Sequence, residues 1–407
     1  MACERRVLIL VENESVPHDG RVWQHALALK QVGVGVTVIC AQGDRDESAL
    51  AEEREGIGIR RFVPRPSDGG IRGYVLEYGA ALRAIRRAVR QLVVSQPVDV
   101  VQACNPPDVL LLAALSARRR GAALVFDHHD LVPELFLTRF GERRLLHRAT
   151  LVAERVAFAL ADVVISTNEF YRQVAITRGK KRPEDVFVVR NAPNPIWFRP
   201  VEPNPALRRD GEHLLVYEGM MGPQDGIDHA LRALAALARR RQNWHAVFVG
   251  EGDVLAEMKL LAQRLGLSQV VEFTGWLDED QVVDVVANAD VCLVPDPPGP
   301  LNDISSMVKV VEYMAAARAI AAYPLPEARA TAGDAAAYAA RGEPEALAAV
   351  VDALLEDPER RARMGAEGRR RVQSGLAWEH QERNLLAAYE RAFAIGDRRR
   401  SRARRIA

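Results

Sequence analysis

Residues 291–314 read VCLVPDPPGPLNDISSMVKVVEYM, and their order decides how the chain folds. Val291–Val294 is a short apolar run stopped by Pro295, and Pro297, Pro298, Gly299 and Pro300 punctuate the loop that follows. Serine just before an apolar-periodic run is a helix N-cap signal, and Ser305 and Ser306 stand there. Val308, Val311 and Met314 with Ala315 recur at helical spacing, so one stripe of this helix faces a core. The segment reads as strand, loop, helix. The first-turn N–H groups of Met307, Val308 and Lys309 have no intrahelical partner, and that helix end carries partial positive charge suited to an anion, phosphate above all. Lys309 adds a full charge, and Glu312 follows three residues later near the same face. The two also fit an ordinary surface pair worth about 0.2–0.5 kcal/mol. The strand end before the helix favours the ligand-binding reading, because open α/β sheets bind ligands where strands end.

The alternation continues outward. Leu214–Tyr217, Ala246–Gly250, Val270–Phe273 and Ile320–Tyr323 read as further strands, with helices over Asp225–Arg240, Asp253–Leu265 and Asp278–Asn288. In the N-terminal half, strands are expected at Val7–Val11, Val36–Cys40, Ile57–Phe62, Val98–Ala103, Ala123–Phe126, Val163–Ser166 and Val186–Arg190. Helices are expected over Val22–Gln31, Tyr74–Leu92, Val109–Arg120, Glu142–Leu160 and Glu169–Arg178. Such alternation argues for parallel sheets covered by helices on both faces. Asn191–Pro205 holds Pro193, Pro195, Pro200, Pro203 and Pro205, which suit neither a helix nor a central strand, so it reads as a linker between two halves. The tail is helical over Pro344–Leu355, Pro358–Gln373 and Glu379–Phe393. The basic run Arg398–Arg405 reads as a disordered end, or as a contact with anionic lipid or a carrier phosphate. Domains are therefore expected at 1–195 and 196–378, followed by a helix over 379–395 and a basic disordered tail over 396–407.

Composition narrows the class. The 407 residues are 48% hydrophobic and 27% charged, as in a globular protein of two or three domains. A net charge of +1 implies no global pull toward nucleic acid or membrane. Cys3, Cys40, Cys104 and Cys292 are scattered and read as free thiols in a reducing compartment. Met1–Arg6 is polar and leads straight into a strand, so no signal peptide is expected, and no apolar run reaches a membrane-spanning length. A cytoplasmic protein is expected.

Two N-terminal stretches carry side chains suited to chemistry. Phe126-Asp127-His128-His129-Asp130 closes a strand, which puts its histidines at a strand end; a metal pair and plain turn residues are the alternatives. Glu14, His18, Asp19, Gly20 and Arg21 form the first strand-to-helix loop, where Asp19 suits helix capping and substrate contact equally. Tyr217–Gly226 opens the second half, and a backbone nest around Gly219 and Gly222 would favour an anion. The chain has no G-x-S-x-G, H-E-x-x-H or Walker loop, so hydrolase and phosphate-loop ATPase readings lack support.

The motif L-N-D-x-S-x-M-x-K-x-x-E-Y-M-A at 301–315 resembles the donor helix of a branch of the family 4 glycosyltransferases. D-H-H-D-L-x-P-E-L at 127–135, P-H-D-G-R-V-W-Q at 17–24, G-P-Q-D-G at 222–226, F-T-G-W-L at 273–277 and A-W-E-H-Q at 377–381 resemble other parts of that branch. The likeness spans essentially the whole chain. It implies the GT-B fold: two Rossmann-like doubly wound domains facing across a cleft, with a C-terminal helix crossing back to the N-terminal domain. It also implies a retaining transfer from a nucleotide diphosphate sugar, UDP-sugar foremost, to a hydroxyl acceptor, with no metal or other cofactor. In this resemblance Lys309 and its helix end meet the diphosphate, Glu312 holds the ribose hydroxyls, His129 faces the donor sugar and Asp19 lies close by. Gly20, Arg21, Gly219, Met220, Gly222, Gly250, Glu251, Thr274, Asn302, Asp303, Ser305, Ser306, Met307 and Val308 are the further donor contacts, and His18 and Glu134 fall on the acceptor side.

The chain also departs from that pattern. The first carboxylate of the family's E-x7-E pair falls on Ile304, with Asp303 adjacent, and the usual Arg and Lys of the second domain's first loop are Met220 and Asp225. Two cations are thus missing. A GT-B nucleotide-sugar epimerase and a non-catalytic nucleotide-sugar-binding subunit stand as alternatives, which a donor-turnover assay separates. The acceptor (a polysaccharide, a lipid-linked sugar or a small metabolite) is set by N-terminal loops such as Pro64–Gly73, marked as mobile by composition. No nucleic-acid partner is expected, and Arg398–Arg405 is the expected point of peripheral membrane contact.

Overall fold

The computed structural model describes residues 5–43, 49–65, 70–199, 201–202, 204, 207, 212–340 and 342–406, so the middle of the Pro64–Gly73 loop lies outside the described residues. The chain divides into two compact units, Met1–Arg190 with Gln381–Ala407, and Asn191–His380. The division falls at the head of the proline-rich stretch, a little before Pro195.

Strands β1 (Arg6–Leu10), β2 (Gly35–Ala41), β3 (Ala51–Arg54), β4 (Ile57–Phe62), β5 (Val100–Cys104), β6 (Ala123–His128), β7 (Val163–Ser166) and β8 (Val186–Val188) form the sheet of the first unit. Their order is β3-β4-β2-β1-β5-β6-β7-β8, parallel throughout except for the antiparallel edge pair β3–β4. The chain winds outward from β1 in one direction and from β5 in the other, so the order reverses between these two strands. Strands buried on both faces read as continuous apolar runs, and β1 does after Arg6, whereas β5 is buried throughout but carries Gln102. One sheet face carries Leu8, Leu10, Val101, Ala103, Leu124 and Phe126 against helices Gly70–Ser95 and Arg144–Leu160 and the tight helical segment Asp108–Ala114. The other face carries Gln102, whose side chain meets the Tyr389 hydroxyl of the last helix. The expected Val109–Arg120 helix is that tight segment followed by a short helix, Leu115–Arg119. β3 (AEER) escapes a hydrophobic pattern because it is a polar, exposed edge.

The last helix runs Trp378–Ile406, so residues 396–406 are helical and not a disordered tail. Carboxylates at the sheet end hold this stretch. Arg399 reaches Asp162 at 2.7 Å, Arg400 reaches Asp99 at 2.9 Å, and Arg5 reaches Asp397 at 2.7 Å. Basic residues also suit the last turns of a helix.

The second unit has β9 (His213–Glu218), β10 (Trp244–Val249), β11 (Val271–Gly275), β12 (Val291–Val294), β13 (Ala319–Ala322) and β14 (Ala336–Tyr338). All pair in parallel in the order β11-β10-β9-β12-β13-β14, which reverses between β9 and β12. Beyond the strand ends backbone meets backbone. A Cβ on Gly250 (φ +126) would lie 2.0 Å from the Gly219 carbonyl oxygen, and one on Gly226 (φ +68) 2.2 Å from that of Pro295. Only glycine meets both demands, positive φ and no side chain. Among the described residues, no helix of either unit is long and apolar enough to cross a membrane.

Gly250→Ala is expected to lower stability by about 1–3 kcal/mol, since the clash falls on backbone that cannot yield cheaply. Urea unfolding of the two proteins measures it; an unchanged midpoint would mean that these turns are not in contact.

Candidate active site

Ligands of open α/β sheets bind outside the C-terminal strand ends where the order reverses. In the second unit that point lies between β9 and β12, and it gathers Tyr217 and Glu218 from β9, Asp296 from just past β12, and Lys309 and Glu312 from helix Val308–Ala315. Lys309 is 7% exposed, and its Nζ lies 3.1 Å from Asp296 Oδ1, 3.4 Å from the Tyr217 hydroxyl and 4.7 Å from the Tyr217 ring centre. Burial alone would strip this ammonium of its proton; the Asp296 carboxylate beside it holds its pKa above the ordinary lysine value. This is a buried ion pair and not a surface i,i+3 pair with Glu312.

Glu312 points instead to Glu218. Burial and the Glu218 carboxylate push the Glu312 carboxyl well above the ordinary range, so the half-buried pair shares a proton with Glu312 as its holder. A protonated carboxyl next to a carboxylate offers both a donor and acceptors, which suits a vicinal diol.

The helix start differs from the expected capping. Its N-cap is Met307, and no side chain caps the first turn. Ser305 Oγ donates to the Leu301 carbonyl at 2.8 Å and Ser306 Oγ to Glu327 at 3.2 Å, because the loop ahead of the helix makes its own turn and draws both hydroxyls into it. Asp303 accepts from the Gly299 amide, and buried Asn302 staples two loops by donating to the carbonyls of Gln224 (2.8 Å) and Pro297 (2.9 Å). Val308 stays exposed.

The expected backbone nest is not formed. Gly219 donates to the Val249 carbonyl, Met221 to that of Glu251, Gly250 to that of Gly275, and Gly222 to Asp225 Oδ2 at 2.8 Å. Those amides lace neighbouring turns together and have nothing left for an anion. Met220 is exposed and its carbonyl accepts from the Tyr217 hydroxyl at 2.7 Å. Glu251 lies exposed and Thr274 half-buried at the ends of β10 and β11. The helix start, whose first turn no side chain caps, and Lys309 remain as the positive groups at this strand end.

In the first unit the corresponding point lies between β1 and β5, with the end of β6 beside it. Asp127 is the hub there. It takes Arg21 at 2.8 and 3.1 Å, Gln102 Nε2 at 3.3 Å, and lies 3.8 Å from His129 Nδ1. Arg21 also donates to the Val189 carbonyl, so its guanidinium is held inside the unit. Burial would depress the His129 imidazole, but the Asp127 carboxylate outweighs it and raises the pKa. Asn105 Oδ1 accepts from the backbone amides of His129 (2.9 Å) and Asp130 (3.1 Å) and so fixes this turn. Asp19 caps helix Gly20–Gln31 by accepting from the Val22 amide at 2.9 Å; burial raises its pKa and nearby His129 lowers it, so the two are close enough to interact. His18 and Gly20 are exposed beside it. Glu134 is held in an ion pair with Arg178 at 2.5 Å, which also holds Glu154.

His128 is buried between Phe126, Phe158 and Tyr171, and neither ring nitrogen finds a hydrogen bond among the described residues. Sequence reasoning missed Asp296, Glu218, Asn105 and Glu12. Glu12 is 4% exposed just past β1, and burial and then Glu77 push its carboxyl up to about 7. Each lies within two residues of a strand end, the one signal that would have found them.

The fold and these strand-end sites define a GT-B architecture. A glycosyl transferase 4-like domain matches residues 20–192 and the glycosyl transferases group 1 model matches 198–371, so the chain belongs to the GT-B glycosyltransferases of the family 4 type. It is 29% identical over 175 residues to an MMP alpha-(1->4)-mannosyltransferase of Mycolicibacterium hassiacum, a match covering 42% of this chain and 41% of that protein. It is 29% identical over 189 residues to a 2-deoxystreptamine glucosyltransferase of Streptomyces kanamyceticus, covering 46% and 48%. These matches thus span under half the length of either relative. Among solved structures, a sucrose-phosphate synthase from Thermosynechococcus elongatus superposes with a TM-score of 0.78 at 18% identity over 96% of this chain and 100% of that one. Anabaena HepE in complex with UDP and glucose does so with 0.71 at 18% over 95% and 100%.

Burial pushes the imidazoles of both His25 and His128 down to about 3, from about 6.5 when unfolded. The unfolded chain therefore binds more protons between these values, and stability is full above about 6.5 and falls as pH drops toward 3, by about 1.4 kcal/mol per pH unit for each histidine. His128→Phe, which keeps the aromatic packing, is expected to remove one histidine's share of that slope. Urea midpoints at pH 7, 6 and 5 measure it, and equal slopes in both proteins would refute the assignment.

Proposed function

We propose that this protein is a retaining, metal-independent glycosyltransferase that moves a sugar from a nucleoside diphosphate sugar to a hydroxyl acceptor. The observation that carries this reading is a single strand-end crossing that holds an uncapped helix start, a buried lysine and a proton-sharing carboxyl pair. The leaving group is a diphosphate, and its growing charge needs positive potential set in place beforehand in a dry site. An ammonium has three donors. Asp296 and Tyr217 orient Lys309 toward the helix start as positive potential for a phosphate oxygen, while the first-turn amides of the helix supply the positive end of the dipole in place of the two missing cations. Glu312, proton-bearing beside Glu218, takes the ribose diol. We assign His129, beside the Asp127 carboxylate, to the donor sugar hydroxyls, with Asp19 in the same region of that unit.

No protein nucleophile is assigned; the acceptor attacks the face from which the diphosphate departs and passes its proton toward that leaving group. HepE's complex with UDP and glucose supports UDP-sugar as the first donor to test.

Thermal unfolding with a panel of nucleoside diphosphates is expected to show a shift of several degrees with one base, equivalent to about 2.7 kcal/mol at a hundredfold excess over Kd. Glu312→Ala should weaken binding at least tenfold. Lys309→Ala, combined with Asp296→Ala so that no lone carboxylate stays buried, should do the same. His129→Ala should keep nucleotide binding and lose turnover. Donor turnover in the presence of a chelator, followed by the anomeric signal of the product, tests metal independence and retention. Epimerised donor, or binding without turnover, would overturn the transferase reading. No shift with any nucleotide in folded protein would remove the donor site from this helix.

A further inference from the structure

One helix layer of the N-terminal unit has an outer surface that is basic and apolar together. Helix Gly70–Ser95 buries Ile85, Val89, Leu92 and Val93 and leaves Arg83, Arg86, Arg87 and Arg90 exposed at i, i+3, i+4 and i+7, with Val94 72% exposed at its end. Helix Arg144–Leu160 buries Ala157 and Phe158 in the same core. Its outer stripe carries Leu145 (80% exposed), Val152 (58%) and Val156, with exposed Arg144, Arg148 and Arg155 among them. Both helices pack on Asp108–Ala114, so the two surfaces look out from one side of the sheet. Their acidic residues are Glu77 and Glu154, and Glu154 is buried against Arg178. None of these seven arginines is within ion-pair distance of a carboxylate among the described residues. Arg399 and Arg400 of the C-terminal run, by contrast, are neutralised by Asp162, Asp99 and Asp397.

We infer that this face docks on a bilayer surface containing anionic lipid. Seven unpaired arginines on two neighbouring helices repel one another and call for an anionic counter-surface. A nucleic-acid backbone would meet the charges but leave Leu145, Val152, Val156 and Val94 in water. The bilayer interface takes both at once, phosphates for the guanidinium groups and the acyl boundary for the apolar side chains. The interleaving of the two kinds of residue selects the membrane. The inference concerns a helix layer away from the strand ends and does not depend on sugar transfer.

The test is co-sedimentation of the full chain with vesicles of phosphatidylcholine alone and of phosphatidylcholine mixed with phosphatidylglycerol, at low and high salt. Binding is expected only to the mixed vesicles and should weaken with salt. Arg83→Gln, Arg86→Gln and Arg90→Gln together should lower partitioning on the order of 100-fold, about fivefold for each arginine. Leu145→Ser with Val152→Ser should weaken it too and leave the residue of binding more sensitive to salt. All five side chains are exposed, so an unchanged melting temperature and an unchanged nucleotide response serve as the fold controls. Absence of binding to the mixed vesicles would overturn the inference, as would binding indifferent to both sets of substitutions. Equally tight binding to duplex DNA that ignores the two serine substitutions would make this a polyanion face and overturn it as well.

Discussion

A buried charge must be paired or give up its ionisation, and both units answer that demand at the same place in their topology. Lys309 with Asp296 lies just past β12, and Arg21 with Asp127 at the end of β6, each beside the point where its sheet reverses order. Parallel strands diverge there, and the gap is neither filled by apolar side chains nor open enough to solvate a lone ion. Further neighbours hold each pair in that gap, the Tyr217 hydroxyl on Lys309 and the Val189 carbonyl on Arg21. Each pair also borders a candidate group: Asp296 holds Lys309 beside the Tyr217 ring, and Asp127 lies 3.8 Å from His129 Nδ1. In each unit the anion of the pair is the residue that hydrogen-bonds or faces a candidate catalytic group.

The C-terminal unit has Met220 and Asp225 where the sequence resemblance implies two cations, and the local backbone shows how the space is used. Asp225 accepts from the Gly222 amide and from Gln224, so the turn that would carry a lysine is closed on itself. Gly250 and Gly226 let carbonyl oxygens approach to distances that any Cβ would forbid, and this brings the β9, β10 and β12 loops into direct backbone contact. The result is a denser, less charged strand end. Electrostatic work in such a site shifts to the helix dipole and to one lysine whose charge is guaranteed by burial with its partner.

How much of this was legible follows from the period of each signal. Continuous apolar runs such as β1 and β12 stood out because both faces of a parallel strand are covered. The proline-rich stretch marked the joint between units to within a few residues. The polar edge strand Ala51–Arg54 gave no such signal, and neither did the short β14, whose Ala-Ala-Tyr is too brief to show a period. Ser305 and Ser306 looked like caps because local sequence cannot reveal that the preceding loop turns back on Leu301 and approaches Glu327. Long-range partners were invisible for the same reason. Glu218 lies far from Glu312 in sequence, and Asp296 looked like one more residue of a proline-rich loop until the fold set it against Lys309.

Net charge was the least informative of the bulk quantities, and the reason is spatial. A total of +1 sums carboxylates and guanidinium groups that the fold then separates. Asp162, Asp99 and Asp397 collect at one end of the first unit and pair with Arg399, Arg400 and Arg5, so two arginines of the most basic run in the sequence are neutralised there. Helix Gly70–Ser95, with a weaker-looking scatter of arginines, leaves Arg83, Arg86, Arg87 and Arg90 without an ion pair among the described residues, and its own acidic complement is a single residue near its start. Screening confines the reach of such charges to about 10 Å, so what a partner feels is the local face and not the molecular sum. A chain neutral overall can therefore present a strongly basic surface, provided its anions are spent in ion pairs elsewhere.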